Sequence, residues 1–179
     1  NGKTFWDFFI TAATTKIYDP FHRESALHAV RNAGNAVAKF HICFKSPNNE
    51  DSFLTCTHGD MSPSNVFFVL WDGEVTFIDY STFSYPEKKD VNIDINKLFN
   101  SSKNYLQGGA AGIAQYIIDN KLKKMSTEEC LARLSPFEDA LAQGYNEALK
   151  EAKIGFHLSR DSEGKFSLRK NNDVDDLTY

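Results

Sequence analysis

The feature that most constrains the fold is a pair of short β-rich runs in the middle of the chain, separated by an Asp-Gly step. Residues 66–70 and 74–79 are rich in Val, Phe and Ile, and Asp72-Gly73 lies between them. Asp-Gly between two β-rich runs is a strong signal for a tight β-hairpin. The sequence therefore predicts an antiparallel hairpin at residues 66–79.

Most of the remaining sequence has helical periodicity. Apolar residues recur at spacings of three and four, and Ser or Thr precedes some of these stretches at a capping position. The predicted helices run from Phe5 to about Thr15 with Thr4 as the cap, from Phe21 to about Lys45, from about Val91 to Leu106, and from Ile113 to Leu122. Capping boxes at Ser126 and Ser135 each open a further helix, and the second of these runs to about Ala152. Residues 53–57 are predicted to be a short strand or turn, and residues 108–112 a weak break.

These elements give an α+β fold that is mostly α-helical and contains one small hairpin. Apolar density falls beyond Gly155, and the last stretch of the chain is polar. We therefore predict one domain at residues 1–158 and a loose polar tail at residues 159–179.

The composition excludes several classes of protein. The chain of 179 residues has a formal net charge of −4, whereas a general nucleic-acid binder needs a basic face. Its apolar runs are far shorter than the roughly 20 residues that cross a bilayer, which predicts no membrane span. Three scattered cysteines without a CxxC pair indicate reduced thiols and a cytoplasmic protein.

The chain begins with Asn1 and not Met, so we expect it to be a segment of something longer.

Chemistry-bearing residues are concentrated around the hairpin. Asp60 and Asn65 lie on a loop immediately before the first run, and Asp79 ends the second run. Because a hairpin brings its two open ends together, Asn65 and Asp79 should be neighbours. Two carboxylates and an amide oxygen would then converge, and oxygen ligands of this kind suit Mg²⁺. Asp60 would remain to orient and deprotonate an incoming hydroxyl. Asp and Asn are also frequent as turn-capping residues in loops, and that simpler interpretation stays open.

The order and spacing of these residues resemble those of the functional loops in a known superfamily. His58-x-Asp60-x-x-x-x-Asn65, followed by an Ile-Asp-Tyr triplet at Asp79, resembles the catalytic and metal loops of the protein-kinase-like superfamily. The His-Gly-Asp form is more similar to the aminoglycoside phosphotransferase and choline kinase branch. The segments at residues 2–5, 38–41 and 94–98 resemble flanking elements of that branch, so the resemblance covers roughly residues 2–106.

The resemblance implies a role for each matching residue. Asp60 matches the catalytic base, and Asn65 and Asp79 match the residues that hold Mg²⁺ and, through it, ATP. His58 matches a structural residue of the loop, and Asp94 a buried Asp that holds the loop in place. The implied activity is ATP-dependent transfer of the γ-phosphate to a hydroxyl of a small molecule.

Two departures accompany the resemblance. Residues 61–64 contain no Lys or Arg, so the loop supplies no cation for the transferring phosphate. Nothing before His58 resembles a glycine-rich phosphate loop or the strand Lys of such enzymes. We therefore expect this chain to be the C-terminal lobe, with the N-terminal lobe of the same protein absent from it. Phe53 and residues 67–68 are then candidates for the apolar surface that meets that lobe.

Other functions remain open at this stage. A pseudokinase or kinase-like binding module fits the missing lobe, and some distant members of the superfamily use a protein acceptor. A metallophosphoesterase built on His58, Asp60 and Asp79 is less favoured, because that chemistry usually needs more His ligands and a bridging carboxylate.

Overall fold

The computed structural model describes residues 2–15, 20–43, 45–46, 48–55, 57–69, 73–79, 90–100, 109–162 and 164–171. Within these ranges the helices are α1 (Phe5–Thr14), α2 (Pro20–Cys43), α3 (Asn92–Phe99), α4 (Ala110–Asp119) and α5 (Thr127–Glu151), with a short 3-10 helix at Glu50–Thr55. The strands are β1 (Lys3–Thr4), β2 (Val66–Phe68), β3 (Val75–Phe77), β4 (Phe156–Arg160) and β5 (Phe166–Lys170). The fold is therefore α+β, with two small antiparallel sheets.

The predicted hairpin is confirmed, with shorter strands than expected. β2 and β3 pair antiparallel, with Val66 opposite Phe77. The turn is closed by hydrogen bonds from Val69 N to Glu74 O (3.0 Å) and from Gly73 N to Val69 O (2.9 Å). Gly73 has a φ of 74°, which glycine adopts without strain, whereas Asp72 lies outside the described residues. The sequence did not indicate β1, which pairs with β2 and makes a three-stranded sheet in the order β1-β2-β3.

The core is built on the crossing of the two long helices, α2 and α5. A Cβ at Gly34 in α2 would lie 1.9 Å from the carbonyl oxygen of Leu141, and one at Gly144 in α5 would lie 1.7 Å from that of Arg31. Both positions therefore require glycine, which lets the two backbones approach closely. Arg31 also forms an ion pair with Glu147 across the same pair of helices.

The predicted helix starts are partly right. Thr4 caps α1 by accepting from Asp7 N (3.0 Å), and Ser126 caps α5 by accepting from Glu129 N (3.1 Å). The second capping box, at Ser135, is wrong because Pro136 lies inside α5. A proline in a helix removes one backbone hydrogen bond, while the buried side chains on either side of it continue one apolar face along α5. Tertiary packing of that face outweighs the local signal.

Three further boundaries differ from the predictions. Gly112 is no break, since it is buried inside α4. The segment predicted as a strand or turn is a 3-10 helix, Glu50–Thr55. α3 ends at Phe99, because Asn100 has extended backbone angles, and the rest of that predicted helix, at residues 101–108, lies outside the described residues.

The expectation of a loose C-terminal tail is wrong where the structure describes it. β4 and β5 form a hairpin with Phe156 opposite Lys170, so the predicted boundary after residue 158 falls inside β4. Leu158 and Phe166 are buried in the core. Asn100 fixes β5 by accepting from Phe166 N (2.6 Å) and donating to Phe166 O (2.7 Å). Polar residues dominate the composition here and hide an alternation of apolar side chains. Residues 172–179 lie outside the described part.

The candidates for an exposed apolar surface are also corrected. Phe53 and Phe68 are fully buried within the chain, at 0% and 1% exposure, and only Phe67 of the three is partly exposed. Phe68 packs edge-on against the rings of Phe5 and Phe8 in α1. No helix among the described residues is long and apolar enough to cross a membrane.

Candidate active site

The loop that carries Asp60 is held in place by one buried carboxylate. Asp94, in the first turn of α3, accepts from His58 N (2.6 Å) with Oδ2 and from Gly59 N (2.9 Å) with Oδ1. Both His58 and Asp94 have 0% exposure, which confirms their expected burial. Gly59 has a φ of 82°, so the chain turns sharply between the anchored residues and Asp60.

Asp94 is in turn the end of a buried hydrogen-bonded chain. His41 at the end of α2 lies with Nε2 3.1 Å from Asp94 Oδ2 and with Nδ1 2.8 Å from the hydroxyl of Tyr145 in α5. A carboxylate can only accept, so Nε2 of His41 carries a proton, and the Tyr145 hydroxyl is the natural donor to Nδ1. Residues of α2, α3 and α5 thus form one buried chain of hydrogen bonds that ends on the Asp94 carboxylate.

The charge state of this chain follows from its contacts. Burial acts to raise the pKa of Asp94, but the hydrogen bond from His41, together with bonds from Thr57 and the His58 backbone, outweighs burial and lowers that pKa below its ordinary value. Burial and the nearby Asp94 raise the pKa of Tyr145. Asp94 is therefore an anion near neutral pH, and Tyr145 keeps its proton.

Asp60 and Asn65 are in direct contact on the anchored loop. Asn65 Nδ2 donates to the backbone oxygen of Asp60 (2.9 Å) and to its Oδ2 (3.0 Å). Asp60 N also donates to Nδ1 of His58 (3.3 Å), and Asn65 N donates to Ser62 O (2.9 Å). The amide nitrogen of Asn65 is committed to Asp60, so its oxygen lies on the other side of the amide group.

Asp79 lies at the open end of the hairpin, where the sequence placed it. Ile78 N donates to Asn65 O (3.0 Å), which extends the pairing of β2 and β3 by one step. Asp79 follows that pair, is exposed, and has a left-handed φ of 60°, a conformation that Asp tolerates better than most residues. The hairpin therefore brings the backbones of Asn65 and Asp79 to the same end of the sheet.

Sequence reasoning missed a cation beside Asp60. Lys97, in α3, places Nζ 2.7 Å from Asp60 Oδ1. The sequence did contain a usable signal, because Lys97 follows Asp94 by three residues and residues three apart share one face of a helix. A helix that presents Asp94 to the loop therefore also presents Lys97 to it, although residues 61–64 contain no cation.

The two residues predicted to hold Mg²⁺ have side chains of a suitable chemical type. A carboxylate at Asp79 and an amide oxygen at Asn65 are hard oxygen donors, which Mg²⁺ prefers. In the described part of the chain, no group of three or more His, Cys, Asp and Glu side chains is arranged to hold a metal. The amide oxygen of Asn65, one of the two expected ligands, does not belong to a group of that kind.

A cavity with a volume of about 390 Å³ lies between α3, α4, α5 and the β4–β5 hairpin, and none of the loop residues lines it. Glu138 in its wall accepts from Ala110 N (3.1 Å) and pairs with Arg160 (2.9 Å). Burial raises the pKa of Glu138 to about 7, although the hydrogen bond from Ala110 and the charge of Arg160 act in the opposite direction.

Comparisons with known proteins give no relative for this chain. No family model, no curated protein and no solved structure matches it. A function for this chain therefore has to be inferred from the residues around Asp60 and their geometry.

Proposed function

We propose that the protein is an ATP- and Mg²⁺-dependent phosphotransferase that transfers the γ-phosphate to a hydroxyl group of a small molecule. The observation that carries this proposal is the contact of Asp60 with Asn65 on a loop anchored by Asp94, at the end of a hairpin that bears Asp79. A turn-capping role alone would not need a buried carboxylate to fix the backbone of the same loop. The arrangement is the one that the resemblance to kinase-like C-terminal lobes implies.

The proposal assigns a role to each residue of the site. Asp60 accepts a hydrogen bond from the acceptor hydroxyl, orients it, and takes up its proton. Asp79 and the amide oxygen of Asn65 hold Mg²⁺, and Asn65 Nδ2 keeps Asp60 beside them. When bound, Mg·ATP supplies the phosphoryl group and the metal charge that stabilises its transfer. His58 and Asp94 keep the loop in shape and do not touch substrate.

The described residues contain no glycine-rich loop that could cradle the phosphates. The proposal therefore assigns those contacts to an N-terminal lobe outside these residues, and expects the 179-residue chain by itself to bind Mg·ATP weakly.

The proposal is tested on the full-length protein with a panel of hydroxyl acceptors. The panel contains choline, ethanolamine, simple sugars, an aminoglycoside and a Ser-containing peptide, each with Mg·ATP. The expected result is acceptor-dependent formation of ADP, together with a phosphorylated small molecule detected by mass spectrometry. Turnover with the peptide alone would show a protein acceptor instead.

A binding or regulatory module is the second candidate. It is favoured by the lack of a phosphate-binding loop among the described residues. Tight binding of Mg·ATP by the full-length protein without turnover of any acceptor would support this candidate, and the same result would contradict the transferase proposal.

A further inference from the structure

Lys97 reaches the proposed base from a different element of the fold. Its ammonium contacts Asp60 Oδ1, while Asn65 Nδ2 contacts Oδ2 of the same carboxylate. Both oxygens of Asp60 are therefore engaged, one by a cation and one by an amide. Two contacts on opposite sides fix the rotation of a carboxylate, which a single contact would leave free.

The pair is sheltered enough for the contact to matter. The side chains of Lys97 and Asp60 are 23% and 26% exposed, whereas ion pairs between fully exposed side chains often contribute almost nothing. A partly buried pair at 2.7 Å is screened less by water and salt. Enough of Asp60 is exposed to leave it open to a hydroxyl from the solvent side.

α3 contributes two residues that position Asp60, one through the backbone of its loop and one through its side chain. Asp94 holds the backbone of the loop at His58 and Gly59, and Lys97 holds the Asp60 side chain one helical turn later. Reaction rates depend steeply on how well a base is aligned with its substrate. A residue that fixes the carboxylate should therefore affect the rate more than the affinity for the acceptor.

We propose that Lys97 is the positioning residue of the site: it holds the Asp60 carboxylate in the orientation in which it accepts a proton. This inference rests on the proposed function, and its test separates the two.

The kinetic test compares Lys97→Met and Lys97→Arg with Lys150→Met, which removes an exposed lysine near the end of α5. Lys97→Met should lower kcat by roughly 10- to 100-fold, because an unfixed base spends less time aligned. KM for the acceptor should change by less than about 3-fold, since the acceptor is not bound by Lys97. Lys97→Arg should restore most of kcat because it keeps a cation, and Lys150→Met should match the wild type.

A second measurement does not depend on activity. Acylation of lysines by a water-soluble ester, followed by peptide mapping, reports how strongly each ammonium is held. Lys97 should react more slowly than Lys150 in the wild type, and Asp60→Asn should accelerate Lys97 several-fold without changing Lys150. An unchanged rate at Lys97 would show that the ion pair does not form, and would overturn the inference.

The outcomes distinguish the two proposals. If the wild type turns over Mg·ATP and Asp60→Asn does not, but Lys97→Met has wild-type kcat, only the inference about Lys97 is overturned. A higher kcat in Lys97→Met also overturns it, because the ion pair with Lys97 would then prevent Asp60 from acting as a base. If turnover is absent from the wild type or survives in Asp60→Asn, the proposed function fails, and the role of Lys97 fails with it.

Discussion

Asp94→Asn is the substitution that best tests how the candidate site is held. The side chain keeps its shape but loses its charge, and one of its two acceptor oxygens becomes an amide nitrogen. In the wild type, Oδ2 accepts from His58 N and His41 Nε2, and Oδ1 accepts from Gly59 N. The amide oxygen of the variant fits best at the Oδ2 position, where it keeps two partners, and this places an NH₂ group against Gly59 N–H.

The magnitude follows from these contacts. A hydrogen bond to a charged group contributes about 1.5–3 kcal/mol and a neutral one about 0.5–1.5 kcal/mol, so the two bonds at Oδ2 weaken by roughly 1 kcal/mol each. Gly59 N also donates to the hydroxyl of Thr57 (2.9 Å). This second bond limits the stability lost where the new NH₂ group faces Gly59 N. Because a neutral amide is easier to bury than a carboxylate, we expect a net destabilisation of about 2–3 kcal/mol.

The assay combines urea denaturation with amide hydrogen exchange. Asp94→Asn should lower the free energy of unfolding by that amount and should accelerate exchange at His58 and Gly59 above the rest of the protein. Asp119→Asn is the matched control, since Asp119 is exposed on α4 and bonds only to Gln115 among the contacts that the structure gives for it. A loss below about 0.5 kcal/mol, with unchanged exchange at both amides, would refute the anchoring role of Asp94.

The same residue gives a pH dependence with a definite sign. The pKa of Asp94 is lowered in the folded protein from its ordinary value of 3.8. Its contribution is therefore fully present above about pH 4 and is lost as the pH falls through the lower folded value. Acid should consequently destabilise the wild type more than Asp94→Asn over that window, and parallel acid-unfolding curves would contradict this reasoning.

Substitutions at Gly144 and Glu138 test the helix crossing and the cavity that Glu138 lines. Gly144→Ala should destabilise the protein by at least about 3 kcal/mol, or prevent folding, because its Cβ would overlap the carbonyl of Arg31. Gly155→Ala, whose Cβ would meet nothing within 4 Å, should change the thermal midpoint little, and equal effects would contradict the tight crossing of α2 and α5. Glu138 has a folded pKa of about 7 against an ordinary 4.5, so wild-type stability should fall as the pH rises from about 4.5 to 7, by a few kcal/mol at most. Glu138→Gln should remove that fall in urea titrations across the range, and a persistent fall would assign it to another group.

Short stretches of sequence were sufficient to predict features whose contacts join residues close together in the chain. The Asp-Gly step predicted the β2–β3 hairpin, and the hydroxyls of Thr4 and Ser126 marked the starts of α1 and α5. The position of Asp94 beneath the loop came from the resemblance to kinase-like lobes, and periodicity alone would not have given it.

Features that depend on contacts between residues far apart in the chain could not be predicted from such short stretches. β1 is only two residues long and exists because Lys3 and Thr4 meet β2 more than sixty positions later. Pro136 looked like a helix start, but the buried face of α5 runs through it and decides the outcome. Lys97 contacts Asp60 only after α3 has packed against the loop, and its spacing from Asp94 points to the pair only once Asp94 is placed beneath that loop.

The most direct test of the central claim is the rate of phosphoryl transfer by full-length variants of the candidate site. With a saturating acceptor and Mg·ATP, Asp60→Asn and Asp79→Asn should each lower kcat by at least about 100-fold, while Asp119→Asn should retain wild-type turnover. Unchanged far-UV circular dichroism confirms that the variants are folded. Wild-type kcat in Asp79→Asn would contradict the claim that Asp79 holds the metal of a phosphotransferase at this site.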